Sequence, residues 1–404
     1  MRKMLAVLAV ASLAASVAGA ADSRPKVRAI TAFIEIDPQH YEAQYAEAMR
    51  FLDSAREAYR AAGFEVEGVR IATQPFPRYI GAMKPDEALR FLHKLDELSA
   101  KLHFAPNIGV AMLNDNDSTA TLDTLAQALA TTRLNASLVI AGEDGIHWRA
   151  IGEAAKLVKK VAALSPHGSG NLNFAATAML KPYGPFYPGA YHLSGGRTFA
   201  VGMEGASVVA EVFAQYHDPR EAEKQLTAAL AHHLRDAEAV ATKVAGASGW
   251  NYAGIDPTPA PLGEVSIARA IESLIGGPFG SSGTLTAARI ITASVKAAPI
   301  KQTGYSGLMV PILEDTVLAR RWAEGTFNLD SLLAYSAVCA GGLDTVPLPG
   351  DISEERLTRI LGDVASLAYK WNKPLAARLL PVPGGKPGDR TNFGDSRMSD
   401  TVIR

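Results

Sequence analysis

The chain has 404 residues, of which 48% are hydrophobic and 20% charged, with a formal net charge of −1. This composition belongs to a globular protein and not a disordered one, and the near-neutral charge gives no electrostatic basis for binding nucleic acid or an anionic membrane. A single cysteine excludes an intramolecular disulfide, so stability must come from a core, and the length suffices for one large domain or two ordinary ones.

The first residues read as a secretory signal. Arg2 and Lys3 precede an apolar run, Met4 to Val17, and Ala18-Gly19-Ala20 presents small residues for cleavage. Residues 1–20 are expected to be removed, which takes the charge from −1 to −3 as two cations leave. The mature protein is then periplasmic or secreted, without stable membrane insertion after cleavage.

Strands and helices alternate from there. Val27 to Ile36 is a buried-strand run, and His40 to Ala62 follows with helical spacing through Tyr45, Met49, Leu52, Ala55 and Tyr59, ended by Gly63. Phe64 to Ala72 alternates as a strand. The cycle continues through a helix at 85–102, a strand at 107–112, a helix at 118–130 with Asp117-Ser118 as its expected cap, a strand at 137–141 and a helix at 148–163. Glu143-Asp144-Gly145 is a turn signal.

The centre is rich in glycine and proline, with strands expected at 174–178 and 198–203 and helices at 206–216 and 220–244. Further on, helices are expected near 264–274, 284–296, 328–337 and 354–370, with strands at 307–313 and 375–381. Alternation of this kind predicts an α/β sheet or barrel in one intertwined domain over residues 21–383, followed by a polar, glycine-rich tail at 384–404.

Polar residues recur in the loops beside these strands, where sites are usually built. Cys339, followed by Ala340-Gly341-Gly342-Leu343-Asp344, reads as a loop thiol, with Asp344 and His192 as candidate proton carriers. Asp256, Tyr305 and Glu314 are candidate ligand-binding groups. Ser281 and Ser282, between glycines at the start of the 284–296 helix, are candidates for an anion pocket. Each has a structural reading as well: packing for the cysteine and histidine, capping for the serines, and helix-dipole complementarity for Glu314-Asp315. Adjacent residues on a helix point apart, so no metal site is expected at Glu314-Asp315, and His232-His233 has no third ligand at a recognisable spacing.

Several segments carry a family resemblance: Tyr252-Ala253-Gly254-Ile255-Asp256 with Pro259-Ala260-Pro261, Pro278-Phe279-Gly280 with Gly283-Thr284, Gly304-Tyr305-Ser306-Gly307-Leu308-Met309-Val310-Pro311 with Leu313-Glu314-Asp315, and Val338-Cys339 with Gly342 to Asp351. A weaker match covers Pro185-Phe186 with Gly189 to His192. On these the chain resembles domain-of-unknown-function family 711, whose fold is related to pyruvate formate-lyase and other glycyl-radical enzymes. The resemblance implies an α/β barrel with strands inside and helices outside. It makes Cys339 the counterpart, by character, of the thiol that becomes a radical in those enzymes. The glycyl consensus, an Arg-Val-x-Gly-aromatic stretch, is absent, since the chain reads Arg390-Thr391-Asn392-Phe393-Gly394. The barrel and its pocket are therefore expected, and the radical is not.

Two functions follow from this reading. One is an exported enzyme acting on a small polar metabolite through a thiol, carboxylate and histidine site. The other is a periplasmic small-molecule binding protein with no turnover. The sequence leaves any cofactor undecided, and a homo-oligomer is compatible with it.

Overall fold

The computed structural model describes residues 24–404, and the predicted signal segment lies outside them. The described chain is a mixed α/β fold on one ten-stranded sheet. Its strands are β1 (Lys26–Ile34), β2 (Val69–Thr73), β3 (Ala105–Val110), β4 (Asn135–Gly142), β5 (Gly145–Ile146), β6 (Phe174–Ala178), β7 (Thr198–Glu204), β8 (Asn251–Asp256), β9 (Gly342–Pro349) and β10 (Leu375–Val382). The spatial order is β8-β7-β1-β2-β3-β4-β6-β10-β9, with the short β5 folded back on β4. Strands β1, β2, β3, β4 and β6 are parallel neighbours, while β7 and β10 run antiparallel to this set at its two ends. Almost every strand residue is buried, as expected of a sheet covered on both faces.

The helices are α1 (Tyr41–Ala61), α2 (Pro77–Ile80), α3 (Pro85–Leu102), α4 (Leu122–Thr131), α5 (Trp148–Leu164), α6 (Ala206–Gln215), α7 (Pro219–Ser248), α8 (Ile267–Ile275), α9 (Thr284–Lys296), α10 (Thr316–Glu324), α11 (Leu329–Ser336) and α12 (Glu354–Trp371). Spacing located most of them closely. Helix α1 stops at Ala61, and Gly63, just past its cap, has the left-handed φ of 84° that follows helix ends. Helix α4 begins later than expected because Asp117 and Ser118 are occupied in turns. The Asp117 carboxylate accepts Leu113 N at 2.6 Å and the Ser118 hydroxyl accepts Ala120 N at 3.2 Å.

Two expectations fail near the candidate site. Residues 307–313 form no strand. They run from a bend at Gly307 to a turn at Ile312-Leu313, and their segment makes only isolated β-bridges to the sheet, Gln302 with Ile255 of β8 and Pro311 with Asp344 of β9. Pro311 has no N–H to extend that pairing. Conversely, the loop after Cys339 is confined to Ala340 and Gly341, and β9 already begins at Gly342. Gly342, at φ 78°, brings its backbone so close to β10 that an added Cβ would lie 2.2 Å from the Ala376 carbonyl oxygen. The glycine serves strand approach there.

The two faces of the sheet are covered differently. One packs against helices in the main apolar core. The other is lined by small residues, Ala72, Ala175, Ala200, Gly202 and Ala376, and receives loops instead. The segment 179–193 lies across it, with Thr31 Oγ1 donating to Pro185 O at 2.9 Å and Asn107 Nδ2 to Pro188 O at 2.8 Å. Segment 302–311 lies beside it, and Ala340 N donates to Leu308 O at 3.0 Å. Residues 384–404 also pack back. Phe393, Thr401 and Ile403 are buried, Ser399 N donates to Leu313 O at 2.7 Å, and Trp322 Nε1 donates to Val402 O at 2.9 Å.

Candidate functional site

A cavity of about 600 Å³ opens on the loop-filled face, where β1 to β4 begin and β9 and β10 end. Its walls carry Arg28 from β1, Arg70 from β2, Asp344 from β9, Arg378 from β10 and Glu314 from the turn before α10. Tyr187 from the crossing loop, with Phe393, Asp395, Arg397 and Met398 from the C-terminal segment, completes the enclosure.

The charges are webbed. Arg378 Nε donates to Asp344 at 2.7 Å, and its Nη2 donates to Glu314. Glu314 also faces Arg28 at 3.8 Å, and Arg28 holds Glu67 at 2.9 Å and Glu204 at 3.0 Å. The environment pushes the carboxylates apart. For Glu314, burial raises the pKa but Arg378 and Arg28 outweigh it and leave it below the usual range. For Asp344, burial wins over Arg378 and the pKa is raised. Burial and the neighbouring Glu67 carry Glu204 up to about 7. Carboxyl groups with pKa values driven apart around one cation are the raw material of acid–base chemistry.

Arg70 is different. No carboxylate among the described residues reaches its guanidinium. Its partners are neutral: the Pro185 carbonyl at 3.2 Å and the face of Tyr187, whose ring centre is 4.8 Å away. Burial, and then the nearby Arg28, lower its pKa to about 10, so it remains a cation at neutral pH. A planar guanidinium aimed into a cavity with donors to spare is suited to bidentate capture of a carboxylate or phosphate.

Residues 21–396 match the family described as Uncharacterised ACR (DUF711). The chain belongs to this family. Among similar curated proteins, a UPF0210 protein of Pyrobaculum aerophilum is 32% identical over 351 residues, covering 82% of this chain and 77% of the relative. A UPF0210 protein of Methanopyrus kandleri is 33% identical over 287 residues, covering 68% and 63%. Another, from Oenococcus oeni, is 26% identical over 364 residues, covering 86% and 81%. The resemblance read from the residues between Tyr252 and Asp351 thus names the right family.

In this DUF711 member the structure brings Asp344 and Glu314 together through Arg378 but leaves the other candidates elsewhere. Cys339 is 1% exposed in the main core and lines no part of the cavity, and burial pushes its thiol pKa up, away from the reactive form. His192 is buried between Phe33 and Tyr183 and donates through Nε2 to Ile34 O at 2.7 Å. Burial lowers its pKa, so it is a neutral packing residue. The expected grouping of Cys339, His192 and Asp344 in one site therefore does not form, because the first two are spent on packing.

Asp256 anchors a loop. It accepts Tyr305 N at 2.7 Å, Ser306 N at 3.1 Å, and the N and hydroxyl of Thr258 at 3.1 and 2.6 Å. Tyr305 is buried against Phe186 and Ala260 and borders a second cavity, at the opposite end. Ser281 and Ser282 are exposed in the turn before α9, where the Ser281 hydroxyl donates to Pro278 O at 2.6 Å. Neither borders the arginine-lined cavity.

Sequence reasoning missed Arg28, Arg70 and Arg378, whereas Glu204 was already a candidate at the end of a predicted strand. The signal was present. Each arginine interrupts an apolar strand, and a cation inside a core strand is rarely left without a purpose. Among the described residues no group of three or more His, Cys, Asp or Glu side chains is placed to hold a metal ion, and no helix is long and apolar enough to cross a membrane.

Proposed function

We propose that this protein binds a small anionic metabolite, a carboxylate or phosphate ester, in the arginine-lined cavity and acts on it by acid–base chemistry. Arg70 is the observation that carries the reading, since it is a guanidinium in a cavity wall with only neutral partners. Arg70 takes the anionic group, and Arg378 holds Asp344 and Glu314 facing the remainder of the ligand. Asp344, the member of the pair whose pKa is raised, serves as acid, and Glu314, whose pKa is lowered, as base or orienting group. The catalytic part belongs to the carboxylates and not to Cys339.

In this reading the sheet is curled into a barrel with the cavity at one mouth. Support comes from segment 302–311, which bridges to β8 at Ile255 and to β9 at Asp344, the two edges that closure would join. Export by a cleaved signal at residues 1–20 completes the proposal.

The test is calorimetric titration with a panel of small carboxylates and phosphate esters, against wild type and Arg70→Met. Loss of one charge-assisted pair is expected to weaken the bound ligand by roughly tenfold to a hundredfold. Equal affinity in Arg70→Met would end the proposal. Chemical recovery of the bound ligand after long incubation then separates enzyme from carrier. Conversion that Asp344→Asn abolishes supports catalysis, and unchanged ligand supports a binding protein.

A further inference from the structure

The opposite end of the same face holds a second cavity, of about 640 Å³. Its lining includes Lys181, Lys296 and Lys301 and no carboxylate at all, whereas the first cavity sets three carboxylates among its arginines. Just outside the wall, Glu238 accepts the Lys301 backbone N at 2.7 Å and the Tyr252 hydroxyl at 3.4 Å, but among the described residues it pairs with none of the three ammonium groups. Lys181 meets only Glu143, at 3.7 Å with both side chains about four-fifths exposed, a pair worth almost nothing in water. Lys296 has no ion-pair partner among the described residues. Lys301 is held in place, donating to Tyr252 O at 2.6 Å with its ammonium 5.6 Å from the Tyr252 ring centre.

The wall is also built at a cost. Eight non-glycine residues in the described chain have positive φ, and four of them border this cavity: Met179 at 55°, Tyr183 at 70°, Ser306 at 49° and Asn372 at 44°. They come from three separate segments. One of those segments is pinned by the buried Asp256 through Tyr305 N and Ser306 N, and Ser306 Oγ donates back to Thr303 O at 2.9 Å. Asn372 has a local reason, since it is the left-handed cap of α12, but Met179, Tyr183 and Ser306 end no helix, and left-handed backbone in such residues persists where the surroundings over-determine it.

We propose that this cavity is a second ligand site, for a small anion carrying two or more negative charges, of the organic phosphate class. Three lysines line one recess whose wall carries no carboxylate, and a polyanion seated there would be attracted by more than one of them. Because the ammonium groups are solvent-exposed, the attraction is screened by salt.

The experiment titrates pyrophosphate, and separately citrate, into the full chain by calorimetry, with wild type, Lys181→Met/Lys296→Met and Arg70→Met. The two lysines are exposed and make no buried contact, so the double variant should fold, which an unchanged melting temperature checks. Pyrophosphate binding weakened roughly tenfold or more by the lysine pair, weakened again by added salt, and unaltered in Arg70→Met is the expected result. Citrate binding with the same pattern and higher affinity would replace phosphate by polycarboxylate as the ligand class. No pyrophosphate binding, equal binding by the lysine variant, or loss of binding in Arg70→Met alone would overturn the proposal. The last outcome places the anion in the first cavity, and so separates failure of this site from failure of the arginine site.

Discussion

The two ends of the loop-filled face carry cations in opposite ways. At one end, arginines project from strands and are gripped by carboxylates, with Arg70 alone left facing neutral groups. At the other, lysines project from loop residues 181 and 301 and from the end of α9, with no carboxylate in the wall. A guanidinium on a strand is a pre-set fork, whereas an ammonium on a flexible stem is a charge without fixed geometry. The first end is therefore organised for orientation and proton transfer, and the second for attraction. Segment 302–311 joins them, since Tyr305 and Ser306 border the lysine cavity while Met309 and Pro311 border the arginine cavity.

The comparison breaks first at Arg378. Replacing it by Met leaves Asp344 and Glu314 buried without their cation, so Arg378→Met should lose about 3–5 kcal/mol in urea unfolding. Adding Glu314→Gln and Asp344→Asn should restore part of it. A single variant as stable as wild type would mean that the web is dispensable. At the other end, Asp256→Ala strands the Tyr305, Ser306 and Thr258 amide donors and should cost roughly 3 kcal/mol, with Asp256→Asn milder. This variant should also abolish anion binding in the lysine cavity while sparing the other, and simultaneous loss at both would show that the segment couples them.

A pH series sharpens the contrast further. Glu204 has its folded pKa raised to about 7 from an ordinary 4.5, so the folded protein holds the proton more tightly than the unfolded chain. Its contribution to stability is then fully present below pH 4.5 and declines as pH rises towards about 7. Urea unfolding across that window should fall more steeply with pH for wild type than for Glu204→Gln, and identical slopes would reject the assignment. The smallest effect belongs to Cys339. Iodoacetamide should label it only in denaturant, and Cys339→Ala should cost about 1 kcal/mol and leave ligand binding intact. Rapid labelling of the folded protein would return the thiol to the site.

Much of the scaffold was legible in the chain itself. Helices α3 and α9 and strand β6 follow directly from periodicity, because an amphipathic face is written locally. The family was legible too, in the segments around Tyr305 and Asp344. The candidate site was only half visible. Asp344 and Glu314 stand out as acids near predicted turns, but the start of β9 is hidden by Gly342, a residue type of loops whose backbone here lies against Ala376. His192 and Cys339 looked chemical because their residue types are reactive. Their roles depend on what surrounds them, and the surroundings are core.

Local pattern determined the alternating elements, the apolar strands and the family, since each rests on residues near in sequence. Tertiary structure alone decided that Arg28 and Arg378 meet Glu314 and Asp344, that Arg70 shares their cavity, and that the C-terminal residues border it. Those groups come from strands far apart in the chain, and their charge states are set by burial and by one another, which no local pattern records.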